Sequence, residues 1–211
     1  MSNWLNTLKS RFGKAPAASI NYSMPTVSAD SLEFIEPTPA SFQGAPQFHE
    51  DEWAQLEFLQ GERLDALRLE LKAYKGFELT HRIASGWRAV YGRKLARDVL
   101  VAGPGSVASL AGLFDVAVGN APILFTSAAP LGQVASGFSL AISSDVTLYG
   151  LADEQGISVL AAIVRAGGDD QQLTEAFVRL HRAYGLLLVD WRGQLLLSGA
   201  SESGNIEGWR P

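Results

Sequence analysis

The densest run of chemically useful side chains lies between residues 81 and 97, where His81, Arg82, Trp87, Arg88, Tyr91, Arg93, Lys94 and Arg97 interleave rings with cations. Arg and Lys neutralise phosphates, and Trp and Tyr offer faces on which bases stack. The pattern would therefore suit a single-stranded nucleic acid or another anionic ligand. Arg82, Trp87, Arg88, Tyr91, Arg93, Lys94 and Arg97 form the candidate anionic-ligand patch. A net charge of −5 opposes general affinity for nucleic acid. The charges are also unevenly placed: residues 63–97 carry nine Lys or Arg against three acids, whereas residues 15–62 carry eight acids and no Lys or Arg. That asymmetry favours contact between the basic block and an acidic protein surface, the chain's own residues 30–62 included.

Three further groups could carry chemistry. Gly103, Gly105 and Ala108 follow an apolar run in the G-x-G-x-x-A order of a dinucleotide turn. A small nucleotide-binding or enzymatic domain using residues 103–108 is the alternative class they raise. Against it, Pro104 stiffens the loop and no acid stands near the end of the next strand, residues 123–127, to hold a ribose. The plainer expectation is a loop leading into a short helix or turn over residues 107–114. His49, Glu50, Asp51 and Glu52 are all of ligand type, but consecutive residues cannot all converge on one ion, so an acidic cap is expected and no metal. Asp190 beside Trp191 is an acid whose partial burial could raise its pKa, although a local hydrogen bond at a turn is the simpler role. His181 is expected on a helix surface or at its cap. Serine elbow, Walker, H-E-x-x-H and EF-hand patterns are absent from the sequence. No cofactor and no catalytic residue is assigned, and an enzyme is the less favoured class.

The elements that would position these residues are read from periodicity. Leu64, Leu67, Leu71 and Tyr74 repeat at three, four and three, predicting a helix over residues 62–75 that Gly76 stops. Leu173, Phe177, Leu180 and Tyr184 predict a second helix over residues 171–184, capped by Asp169 or Asp170 and ended by Gly185. Residues 186–189 and 194–198 read as a hairpin turning at Arg192 and Gly193. Residues 123–127, 138–143, 146–151 and 157–165 are strand candidates between turn residues, and Leu56 and Phe58 alternate with Gln55 and Glu57 as a strand does. The expected fold class is α+β: a mainly antiparallel sheet of about five to seven strands, with the two principal helices packed on it.

Residues 1–14 stand apart. Trp4, Leu5, Leu8 and Phe12 fall within an arc of about 100° on a helix, and Lys9, Arg11 and Lys14 are the only charges. Burying four such side chains gives roughly 6–12 kcal/mol, against roughly 1–2 kcal/mol of backbone entropy for each residue fixed. The segment should fold only when docked on a partner protein, on its own domain, or peripherally on an anionic membrane. Residues 15–47, with five prolines, read as a linker; within it residues 31–37 could add as an edge strand or act as a short binding segment. Residues 48–198 would form one α+β domain and residues 199–211 a flexible tail in which Ile206 and Trp209 could dock. No apolar run reaches the ~20 residues that span a bilayer, and there is no cysteine. The function expected is a non-catalytic, cytoplasmic, bacterial-type interaction module, an adaptor, chaperone or immunity-like inhibitor, docking through Trp4, Leu5, Leu8 and Phe12.

Overall fold

Apolar residues at alternating positions build the longest strands. Leu160 and Ala162 point to one face, and Val159 and Ala161 to the other. Both faces are therefore covered, as a continuously apolar strand requires. The computed structural model describes residues 22–168, 170–201 and 205–211. The predicted helix at residues 2–12, with Trp4, Leu5, Leu8 and Phe12, lies outside them.

The fold is mixed α and β, built on a large antiparallel sheet. Sixteen strands are described in chain order: β1 (Thr26–Val27), β2 (Phe34–Ile35), β3 (Gln47–His49), β4 (Leu56–Leu59), β5 (Arg82–Ile83), β6 (Gly86–Trp87), β7 (Tyr91–Gly92), β8 (Val101–Ala102), β9 (Ile123–Phe125), β10 (Pro130–Val134), β11 (Gly137–Ala141), β12 (Val146–Ala152), β13 (Gly156–Val164), β14 (Leu187–Asp190), β15 (Leu195–Ala200) and β16 (Ile206–Trp209). Three helices join them: α1 (Leu64–His81), α2 (Ser106–Phe114) and α3 (Asp170–Tyr184). The large sheet runs β11-β12-β13-β4-β14-β15-β16, with β8 pairing separately on β13. β13 and β14 both pair antiparallel with β4, so they run in the same direction, and α3 makes the crossover between them.

The two faces are covered differently. Leu110 of α2 and Phe177 and Leu180 of α3 close one face over Phe58, Leu160 and Leu188. On the other face α1 buries Leu67, Leu71 and Tyr74 against Leu187, Val189 and Trp191. Beside α1 a second sheet, β2-β10-β9-β3, packs Phe48, Leu124 and Val134 on Tyr149 and Val159.

Several segments differ from the sequence expectation. α1 runs past Gly76 to His81. A glycine inside a helix costs about 1 kcal/mol, which the added turn offsets: Phe77 stacks on His81 at 4.0 Å and packs near Tyr91 at 5.3 Å, while Glu78 accepts a bond from Gln194. Residues 22–47 are more than a linker. Met24, Thr26 and Ala45 are buried, β1 pairs with β7, and β2 pairs with β10. The prolines fit because these strands are two residues long and Pro25 and Pro37 fall outside them. Described residues of the 199–211 stretch form the end of β15 and the edge strand β16, held because Ile206 packs on the α3 side and Trp209 on the α1 side. β10 was not anticipated, since it opens on Pro130, a residue tolerated at the first position of a strand.

Gly76 has open space where a Cβ would stand. Gly76→Ala should raise stability by about 0.5–1 kcal/mol in urea denaturation. A Cβ on Gly150 would collide with the Val159 carbonyl oxygen, so Gly150→Ala should lower stability by at least ~1–3 kcal/mol in the same assay.

Candidate functional site

The central strand is too short for its neighbours. β4 ends toward its N-terminus at Leu56, opposite Ala162 and Asp190, while β13 continues through Ile163 and Val164. Just before β4 the chain leaves the sheet plane: Ala54 takes a positive φ of 52°, and the Gln55 carbonyl accepts the Trp191 N–H at 3.0 Å. A notch therefore opens between the carboxyl ends of β13 and β14, beneath the first turns of α3.

On the α3 side the notch holds a cavity of about 510 Å³, with a floor of Leu56, Val164, Leu188, Leu195, Leu197 and Ile206 and a wall of Leu173 and Thr174. Asp170 and Asp190 supply its carboxylates. Around the end of β4 it meets a cavity of about 430 Å³ that shares Leu56, Val164 and Asp190 and adds Glu52, Gln55, Ile163 and Arg192. A further cavity of about 430 Å³ shares Glu52 and Arg192 and continues past His49, Asp51, Trp87 and Ser23 to Pro25. Volumes of ~300–1,000 Å³ are typical of binding pockets.

The polar groups of this cleft are unequally occupied. Arg192 is paired with Glu52. Asp190 Oδ1 accepts the Gly193 N–H at 2.7 Å, the local role expected of it. Gln55 is 5% exposed; its Nε2 donates to the Thr26 and Asp51 carbonyls at 3.0 and 2.8 Å, while its Oε1 has no donor among the described residues. A buried acceptor without a donor is costly, by ~1–3 kcal/mol.

Directly behind the notch lies a buried charge cluster. Glu57, in the middle of β4, is 2% exposed. Its Oε1 accepts from Arg97 Nη1 and its Oε2 from the Trp191 indole at 2.8 Å, with Arg93 Nη1 at 3.6 Å. Arg93, 3% exposed, lies over the Trp191 ring at 5.1 Å and donates to the Ala54 carbonyl at 2.6 Å. Arg97 grips both oxygens of Asp30, which also accepts from Ser28 and, at 2.9 Å, from the Trp53 indole. Burial pushes the Asp30 carboxyl up, but the Arg97 bonds and charge, with the Ser28 and Trp53 donors, outweigh it and hold the group below its ordinary value. Burial lowers the Arg93 guanidinium from its ordinary value against the pull of Glu57. For Arg97 the two carboxylates overcome burial and raise it.

The basic block is thus divided. Arg93 and Arg97 face inward, Tyr91 donates to Glu70 at 3.0 Å, and burial followed by that bond pushes the phenol up to about 12. Arg82, Arg88 and Lys94 are exposed, and Trp87 is half-buried, bridging to Tyr22. The structure does not bring the seven into one surface. Residues 103–108 follow a two-residue strand that is antiparallel to β13, whereas a dinucleotide turn leaves the inner strand of a parallel sheet. His181 Nδ1 meets the Leu186 carbonyl at 2.9 Å, an end-of-helix contact. The sequence did not single out Glu57, Asp30, Glu52, Arg192 or Asp170 as partners; for Asp30 and Glu57 the available signal was the opposed charge of residues 15–62 and 63–97, and for the other three there was none. Among the described residues no group of three His, Asp or Glu is placed to hold a metal, and no helix is long and apolar enough to cross a membrane. Compared with protein families, curated proteins and solved structures, the chain matches none.

Removing one member of a buried ion pair typically costs about 3–5 kcal/mol; Glu57→Gln should lose that much stability in denaturant titration. Asp30 has a folded pKa below its ordinary 3.8. Its contribution is therefore complete above that value and is lost as the pH falls through the lower folded one. Acid unfolding below about pH 4 should be less steep for Asp30→Asn than for the unaltered chain.

Proposed function

We propose that the protein is a non-catalytic protein-interaction module, of the adaptor, chaperone or immunity-inhibitor kind, working in the cytoplasm and receiving an apolar, basic segment of polypeptide in the cleft. The observation that supports this most is the union of an apolar floor with an acidic rim: Leu188, Leu197 and Ile206 lie below, while Asp170, Asp190, Glu52 and Asp51 line the opening with Arg192 as the only lysine or arginine in the three linings. The cleft also suits a chain better than a compact molecule. From β13 to β16 it crosses four strand spacings, ~20 Å at ~4.8 Å each.

The energetics fit a reversible contact. Three large apolar side chains placed on the floor give roughly 5–9 kcal/mol gross, most of it offset by the ~4–15 kcal/mol lost in association. Rim carboxylates add mainly association rate and choice of partner. Trp4, Leu5, Leu8 and Phe12 are a second docking element in this reading, one that lies outside the described residues.

Fluorescence anisotropy with a labelled fourteen-residue Leu/Lys amphipathic peptide tests the proposal, on the full chain and on a full chain carrying Trp4→Ala and Leu8→Ala. Binding should weaken when Thr174→Trp fills the groove. Asp170→Asn with Asp190→Asn should weaken it roughly three- to tenfold, the worth of two exposed ion pairs. A Leu/Glu peptide should bind worse still. No binding to either chain, or binding indifferent to all three changes, would overturn it.

A further inference from the structure

We propose that the occupant of the cleft is residues 4–12 of the chain itself, docked in cis. The proposal rests on the cleft being a receptor for basic, apolar polypeptide, and it names the occupant of that receptor.

The first support is where the chain enters the fold. Tyr22 is fixed to Trp87 by two backbone hydrogen bonds of 2.9 and 3.0 Å. Ser23, Met24 and Pro25, which follow it, line the outer end of the cleft. Residues 1–21 are therefore tethered at the mouth of the site. From Phe12 to Tyr22 is ten residues, a reach of up to ~33–36 Å.

Charge is the second support. Residues 1–14 hold Lys9, Arg11 and Lys14 and no acid. The cleft offers Asp51, Glu52, Asp170 and Asp190 against Arg192, with Arg210 donating nearby to the Gly193 carbonyl. Arg192 is already held by Glu52, so the balance facing an occupant is negative. The third support is the pattern itself, a single apolar arc of Trp4, Leu5, Leu8 and Phe12 that matches an apolar floor and lacks the length to fold alone. A short tether supplies an effective concentration in the millimolar range, so even a segment of weak intrinsic affinity stays seated.

Because the chain has no cysteine, a pair can be introduced cleanly. Thr7→Cys with Thr174→Cys places one thiol beside the apolar arc and one on the groove wall. Thr7→Cys with Leu69→Cys is the control, Leu69 being 68% exposed on α1, across the sheet. Mild oxidation of the full chain should close an intramolecular disulfide in the first pair at least ten times faster than in the second, and excess Leu/Lys peptide should slow it. A disulfide-linked dimer, equal rates in both pairs, or no closure would overturn cis occupancy. Independently, Trp4→Ala with Leu8→Ala should tighten Leu/Lys peptide binding at least fivefold, with circular dichroism confirming that the fold is kept. Unchanged affinity would sink the proposal while leaving the cleft's function standing. Absence of peptide binding to either chain would remove both.

Discussion

Glu57 imposes the constraint on which the rest of the structure depends. It stands on the fourth of seven strands in the main path of the large sheet and is almost wholly buried. An ionised carboxylate in such a place is tolerable only with cations and donors around it. The loop after β7 delivers Arg93 and Arg97, and the turn after β14 delivers the Trp191 indole. Arg97 carries a second carboxylate with it, Asp30, which draws residues 28–30 onto the same face. One acid thereby fastens three stretches that are far apart in sequence, and the gap between α1 and the smaller sheet is filled by polar groups instead of apolar ones.

The same cluster shapes the cleft. Ala54 lies at the turn that takes the chain out of the sheet before β4; its carbonyl accepts from Arg93, and its N–H donates to the Tyr149 hydroxyl at 2.9 Å. With both backbone groups engaged sideways, they are unavailable to extend β4 beyond Leu56. β13 and β14 are left without a strand between them at that end. The notch is thus a consequence of how Glu57 is neutralised: the cations that satisfy it also hold the preceding turn away from the ladder. Tyr149 belongs to this arrangement, and burial raises its phenol well above the ordinary value, so it remains a neutral hydrogen-bonding group.

How much of this could be read from the sequence depends on whether a signal was local. The α1 and α3 core faces were legible, because Leu67, Leu71 and Tyr74, and Phe177 and Leu180, repeat at helical spacing and are buried together. Gly185 ends α3 in the left-handed conformation expected there, with φ of +67°. Gly76 was misleading, since its local cost is overruled by Phe77 and His81 contacts with partners in space. Glu57 was invisible for a related reason. Alternation between Leu56, Glu57 and Phe58 reads as one wet face and one dry face, and only the packing of α1 and the smaller sheet makes both faces dry. Asp30 lay in a stretch rich in proline, whose composition says nothing of a bidentate arginine arriving from residue 97. The cleft was illegible altogether, because it is formed by a missing length of strand and not by a motif.

The block arrangement of charge along the chain divides by depth. Arg93 and Arg97 of the basic block meet Asp30 and Glu57 inside, where ions are excluded and screening is weak. Asp51, Glu52, Asp170 and Asp190 line open cavities instead, where water reaches them and a Debye length of ~8 Å at physiological salt applies. Ionic strength therefore acts on the two sets differently: it leaves the interior pairs, and with them the notch, in place, while it weakens whatever basic segment the rim attracts. The fold is thus held by desolvated charge while the cleft rim presents exposed charge, so that salt acts on the second and spares the first.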